Sequence, residues 1–404
     1  MKRKQIKIIA LLVIVFILVG LFVLKVEDIK QYRLKENLKI ALLLSEDLST
    51  HDVENHRSAG TNLSESFKID SSKILIKEKV LETECFNIVE DAVNDGYNLI
   101  FAVGKDLEDY IVQSATDHPK VQYCIANSKQ AITSGMDNLH SFSLVESESK
   151  YLSGIVAGMK IKDLLDNGEI TTEQAVFGYI GTNENSENIS AYTAFYLGAK
   201  SIVPDVTMKI KFINPENGVE AEKQTAKALI ANGCILLAQH SDSNAIVEIC
   251  EQNAIYYICN KELVKDDSVF ALTSTTEYWS SCYSYAVDCI INSEELPTSW
   301  CRGIDTTSVD ITAINKNAFV SEKNFKQVND LIAESKEKLK AKTLHIFDTA
   351  NWKVNGETIA STLTDELKAD YGGIEYINNG QFAEYELTTL PKFTFKIDGI
   401  EILT

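Results

Sequence analysis

Two short stretches of this chain gather the side chains that could do chemistry. Residues 51–56 (HDVENH) put two imidazoles, two carboxylates and an amide within six positions, with Glu46 and Asp47 just ahead of them. Residues 239–244 (QHSDSN) are polar throughout and contain neither Gly nor Pro. A metal site needs three or four converging donors, but histidines five positions apart do not share a helix face, and no third histidine lies near. His240 and Asp242 could exchange a proton, yet no Ser or Cys nucleophile arrangement accompanies them, and the chain has no G-x-S-x-G elbow. Phosphate-cradling loops of the G-x-x-x-x-G-K-[ST] and G-x-G-x-x-G kinds are also absent. These residue types point to hydrogen bonding with a small polar solute rather than to an enzyme. They call for no cofactor and no metal.

Both stretches sit where a strand should end. Ala226, Leu229 and Ile230 recur at helical spacing, and Asn232-Gly233 closes that helix as a C-cap pair. Residues 235–238 (ILLA) form a continuous apolar run, as in a strand buried on both faces of a parallel sheet, and QHSDSN follows at its end. A helix over 246–252 leads to a second buried strand, 255–258, ending in Cys259-Asn260. Near the start of the chain, 39–44 (KIALLL) runs into the loop with Glu46, Asp47, Asp52 and Asn55, followed by His56 and a helix. Small ligands bind beyond the carboxyl ends of strands in open α/β sheets, so these loops are candidate binding edges.

The rest of the chain repeats the pattern. Further strands are expected at 73–80, 99–103, 121–126 and 139–145, then at 176–180 and 207–213. Between the two series lies a long apolar helix, 151–165, whose Gly154 and Gly158 allow close helix packing. Two successive runs of alternating strand and helix predict two doubly wound parallel-sheet lobes. The reading assigns 38–147 plus 274–300 to the first lobe and 148–273 plus 301–345 to the second. Residues 346–404 change character: Asn355-Gly356 is a hairpin signal, and the end alternates as a strand does (KFTFKIDGIEIL), predicting a β-rich extension.

A net charge of −19 argues against nucleic-acid binding, because a phosphate backbone would be repelled. Residues 1–30 read as a signal anchor: a basic flank, then seventeen apolar residues over 8–24. At ~1.5 Å per residue such a run just spans a bilayer, and the basic flank keeps the amino terminus inside. No cysteine lies in or just after the run, which speaks against a lipoprotein amino terminus; a cleaved signal is the alternative. The eight cysteines lack a C-x-x-C pair and a scaffold's regular spacing, so core thiols are expected, with one or two bridges left open.

Six motifs together resemble the basic membrane protein family, the purine-nucleoside receptor type that serves ABC importers. They are 151–159 (YLSGIVAGM), 177–181 (FGYIG), 194–205 (AFYLGAKSIVPD), 228–233 (ALIANG), 239–243 (QHSDS) and 272–274 (LTS). The resemblance spans about 38–345 and implies a periplasmic-binding-protein fold of the class with three interlobe crossovers. It further implies that a purine is stacked between aromatic side chains and held at its edges by acidic or amide groups. Carried over, it places Asp52, Asn55 and His56 on the first lobe's ligand edge, Gln239, His240 and Asp242 on the second's, and makes Trp279 a family tryptophan. Two positions depart from the pattern: Glu216-Asn217-Gly218 stands where relatives carry Trp-Phe-Asp, and Asn55-His56 where they carry an aromatic or Asn.

The expected ligand contacts are Glu46, Asp47, Asp52, Asn55, His56, Gln239, His240, Asp242, Asn260 and Trp279. The expected role is a membrane-anchored, extracytoplasmic receptor delivering a purine nucleoside or base to an ABC permease. A tethered sensor signalling its closure to a regulatory partner is the alternative reading, and an exported hydrolase a third.

Overall fold

A computed structural model describes residues 25, 30–213, 218–241, 244–261, 268–359, 363, 371, 374–385 and 390–403. The expected anchor over 8–24 and the side chain of Asp242 lie outside the described residues. No helix among the described residues is long and apolar enough to cross a membrane.

The first sheet is built from β1 (Ile40–Ser45), β2 (Ile74–Val80), β3 (Leu99–Val103), β4 (Gln122–Ala126) and β5 (Leu139–Leu144). Helices α1 (Thr50–Phe67), α2 (Glu82–Asn94), α3 (Glu108–Asp117) and α4 (Lys129–Thr133) connect them. The runs IALLLS and LIFAV are buried at every residue, which is why they read as continuously apolar. A strand that the sequence reading does not contain, β11 (Ser299–Arg302), completes the sheet in the order β11-β5-β4-β3-β1-β2, all parallel.

The second sheet contains β6 (Val176–Gly181), β7 (Thr207–Phe212), β8 (Leu236–Gln239), β9 (Tyr256–Cys259) and β10 (Ala271–Glu277). Around it lie α5 (Glu146–Asp166), α6 (Ser186–Lys200), α7 (Gly218–Ala231), α8 (Asn244–Gln252) and, later in the chain, α10 (Glu322–Lys340). β12 (Val309–Ile311) pairs antiparallel with β10, so the chain stays in this sheet through Glu277. It then returns to the first lobe as α9 (Ser280–Asn292), which packs on α1. The chain thus passes between the sheets three times: after β5, after β10 and after β11.

The helix pair α5–α6 shows why its glycines matter. A Cβ on Gly154 would collide with the Phe195 carbonyl, and one on Gly198 with the Tyr151 carbonyl, so the two backbones touch directly. Lower on α5, Lys160 and Asp163 form a fully buried ion pair, Nζ to Oδ2 3.1 Å. Asp163 also accepts from the backbone N–H groups of Val320 and Ser321 (2.9 and 3.0 Å) and from Asn324 Nδ2 (3.1 Å). Lys160 Nζ sits 4.2 Å from the Tyr256 ring centroid. Burial alone would raise the Asp163 carboxyl, but those donors hold it below the ordinary value.

Beyond α10 the described chain departs from the β-rich expectation. Its strands are short: β13 (Ile377–Asn378) and β14 (Gln381–Phe382) form a two-stranded hairpin, and β15 (Ile400–Ile402) adds a parallel edge to β7. The alternation of 393–397 is real but serves packing rather than a ladder. Phe393, Phe395 and Ile397 are buried while Thr394 and Lys396 are exposed. The two rings meet Trp352 at 5.3 and 5.2 Å, and Phe393 stacks on Phe347 at 4.5 Å. All eight cysteines are free thiols, seven of them buried.

Candidate functional site

A cavity of about 670 Å³ lies between the two sheets. Its first wall is made by the carboxyl ends of β3 and β4, with Gly104, Lys105, Asn127 and Lys129. Its second is made by the first turns of α5 and α6, with Glu146, Ser147, Asn185, Glu187 and Ser190. The chain after α10 supplies a third, with Tyr385 and Lys392. Helix amino termini attract acidic side chains, which accounts for Glu146 and Glu187 standing there.

A charged network adjoins this cavity. Donor atoms of Glu146, Glu187 and His240 all lie within 4.8 Å of one another. Burial, then repulsion from Glu187, pushes the Glu146 carboxyl up to about 7. Burial raises Glu187 too, helped by Glu277. Glu277 is itself pushed up to about 7 by burial, against the pull of Lys261. His240 is held well below its ordinary value by burial and by the charges of Lys150 and Lys261. Its Nδ1 lies 3.2 Å from the Tyr179 hydroxyl. Two carboxylates and an imidazole are donor types a divalent ion accepts, but the lysine ammoniums beside them oppose a second cation. The set suits hydroxyl and N–H groups of a polar solute better.

The network also joins the lobes. Lys261, at the end of β9, reaches Asp52 Oδ1 in the first turn of α1 at 2.8 Å and Glu277 Oε2 at 3.7 Å. Burial works against the Asp52 carboxylate, yet Lys261 and Ser49 hold it below the ordinary value. Asn55 donates from Nδ2 to the Glu277 carbonyl. Within the second lobe, Asn260 Oδ1 accepts from Lys150 Nζ (2.6 Å) and from Thr275 Oγ1 (2.8 Å), and its Nδ2 donates to the His240 carbonyl (2.9 Å).

Of the residues expected at the ligand edge, Asp52, Asn55, His240 and Asn260 are thus brought into one network. Gln239 is buried at the end of β8. Glu46 and Asp47 are exposed in the turn after β1. His56 and Trp279 pack into the first lobe instead. Their rings lie 4.7 Å apart, Trp279 meets Phe142 at 5.7 Å, and His56 Nδ1 is 2.7 Å from the Tyr283 hydroxyl. Burial drives His56 down to about 3, against the nearby Asp52 charge. Sequence reasoning missed Glu146, Lys150, Glu187, Lys261 and Glu277. Lys261 follows Asn260 at a strand end and was within reach of the strand-end rule; the two helix-start glutamates look like ordinary surface charges.

A family model described as ABC transporter substrate-binding protein PnrA-like matches residues 50–345. The chain belongs to this family. Bmp-family proteins are solute-binding components, not enzymes. Among solved structures, a solute-binding protein of an ABC transporter system from Conexibacter woesei superposes with a TM-score of 0.59 at 16% identity. It covers 76% of this chain and 98% of its own. One from Aeropyrum pernix gives 0.58 at 14% identity, covering 83% and 98%. These likenesses establish the periplasmic-binding-protein fold. A purine-binding protein of Brucella abortus is 26% identical over 189 residues, 46% of this chain and 50% of that one. The nucleoside-binding protein BmpA of Lactococcus lactis is 25% identical over 142 residues, 35% and 36% of the two chains. The chain therefore spans half or less of the length of these curated relatives.

Proposed function

We propose that this Bmp-family protein is an extracytoplasmic receptor that encloses a purine nucleoside or base between its lobes and presents it to an ABC permease. The observation that carries the reading is the cavity between the carboxyl ends of β3 and β4 and the first turns of α5 and α6, bordered by Lys105, Asn127 and Lys129 of the first lobe and by Glu146, Asn185 and Glu187 of the second. Purine edges and ribose hydroxyls offer both donors and acceptors. A carboxyl that burial pushes toward its protonated form, as Glu146 on the cavity wall is, can meet either kind. The names of the Brucella and Lactococcus relatives support the same ligand class. Glu146 and Glu187 on the cavity wall would contact the solute. Asp52, Asn55, Gln239, His240 and Asn260 are not among the residues that line the cavity, and would reach the solute through the adjoining network, joined by Asp242, as the lobes close. The apolar run over 8–24 would tether the receptor to the membrane. No reaction is involved: a solute favours closure only by binding the closed form more tightly.

A thermal-shift series with adenosine, guanosine, inosine and hypoxanthine tests this. A solute at about a hundred times its dissociation constant adds about 2.7 kcal/mol of stability. Asp242→Ala should abolish the shift while leaving the unliganded melt unchanged. A chain that none of the four compounds stabilises does not have this function.

A further inference from the structure

The family match ends at residue 345, yet the chain after it returns to the cavity and forms part of its wall. We propose that Tyr385 is a ligand-contacting, specificity-determining residue: the tail, rather than either lobe, supplies the aromatic face against which a planar solute stacks. This inference rests on the reading of the cavity as a solute site.

Three observations converge on it. First, among the described residues that line the cavity, Tyr385 is the one aromatic side chain. Aromatic residues that could have served from the lobes are engaged elsewhere. Trp279 packs on His56 and Phe142, and the Phe212 ring covers Gly181 so closely that a Cβ there would collide with it.

Second, the chain leading into Tyr385 is anchored. Three positions before it, Phe382 stacks on Tyr376 at 5.6 Å and meets Phe393 edge-on at 5.2 Å. Immediately before it, the buried Glu384 carboxylate accepts from Ser190 Oγ at 2.7 Å and from the Phe393 backbone N–H at 3.2 Å. Ser190 itself lines the cavity, so this bond fixes the tail to α6 at the wall. A contact residue must be positioned by its surroundings to select among ligands, and here the surroundings do so.

Third, the phenol is suited to the task. Burial and the neighbouring Glu384, Glu146 and Glu187 charges raise its titration well above the ordinary value, so the hydroxyl stays a donor. A ring face for a planar base and a donor at its edge are what purine recognition uses.

Calorimetric titration of the full chain with adenosine, guanosine, inosine and hypoxanthine decides the matter, using Tyr385→Ala, Tyr385→Phe and Tyr385→Trp. The alanine variant should bind every purine that the wild type binds about tenfold or more weakly, with its unliganded melting temperature held. Phe and Trp keep a ring but not the phenol donor, so each should lose clearly less than the alanine variant. Should the alanine variant not fold, Tyr385→Leu, bulky but without a π face, must show the same loss. A ringless variant that binds within about twofold of wild type overturns this inference alone. A wild-type chain that binds no purine overturns the inference and the proposed function together.

Discussion

Two lysine–aspartate pairs can be set side by side, one inside the second lobe and one reaching from it to the first. Lys160 and Asp163 have no exposed side-chain surface, and among the described residues their partners come from the second lobe and the turn before α10. Lys261 and Asp52 remain 18% and 19% exposed, and the partners come from different lobes. In the first pair the carboxylate has donors enough to offset its burial. In the second, Lys261 is shared with Glu277, while Glu146 and Glu187 beside it are left close together and pushed toward their protonated forms. A charge buried for architecture has its partners built in. In the interlobe pair, one ammonium is shared among carboxylates of different elements.

The contrast can be broken by removing one carboxylate from each pair. Asp163→Ala strands a buried ammonium and three donors, and should cost about 3–5 kcal/mol in urea unfolding; a loss below ~1 kcal/mol would show that the closed set is not structural. Next in size is a pH effect. Glu146 titrates at about 7 in the folded chain against an ordinary 4.5, so folding favours its protonated form. Its contribution is full below 4.5 and is lost as pH rises through 7. Glu146→Gln cannot ionise, and should gain on wild type by about 1–3 kcal/mol between pH 5 and 8. Denaturation curves at several pH values check this, and a gap that stays constant contradicts it. Asp52→Ala should cost less, about 1 kcal/mol, because Lys261 keeps Glu277 as a partner. Its clearer signature is a larger radius of gyration in solution scattering, since an interlobe tie is gone. Smallest is Lys338→Ala, which breaks an exposed i,i+4 pair with Glu334 and should move stability by under ~0.5 kcal/mol.

Much of the fold is legible in the sequence because parallel strands buried on both faces must be continuous apolar runs. IALLLS, LIFAV and the segment ending at Gln239 announce themselves that way. Gly154 and Gly158 likewise report a close helix contact, though not that α6 makes it. β11 escapes because SWCR carries a cysteine and an arginine in a four-residue edge strand, with no periodicity to detect. The strand-end rule picks out Asp52, Asn55, His240 and Asn260, which the fold joins in one network beside the cavity, but it cannot say which neighbouring side chains turn inward. His56 and Trp279 share that neighbourhood and are drawn into the first lobe by Phe142 and Tyr283. Glu146, Glu187 and Lys261, from the starts of α5 and α6 and the end of β9, become a cluster only when the second lobe folds, an arrangement no local pattern encodes. The tail is hidden for a related reason: its aromatic residues are scattered from 347 to 395 and meet only in three dimensions.

One detail at the far end of the tail bears on how the receptor would move. β15 runs alongside β7, with the Leu403 N–H donating to the Ile210 carbonyl, and near the tail's beginning the Asn351 carbonyl accepts from Lys200 Nζ at the end of α6. A ribbon moored at both ends to a single half of the molecule must ride with that half. If the halves swing apart, Tyr385 departs with α6 and leaves Lys105 and Lys129 on the opposite bank. An arriving guest would then land on a platform that is already assembled, and only afterwards be covered.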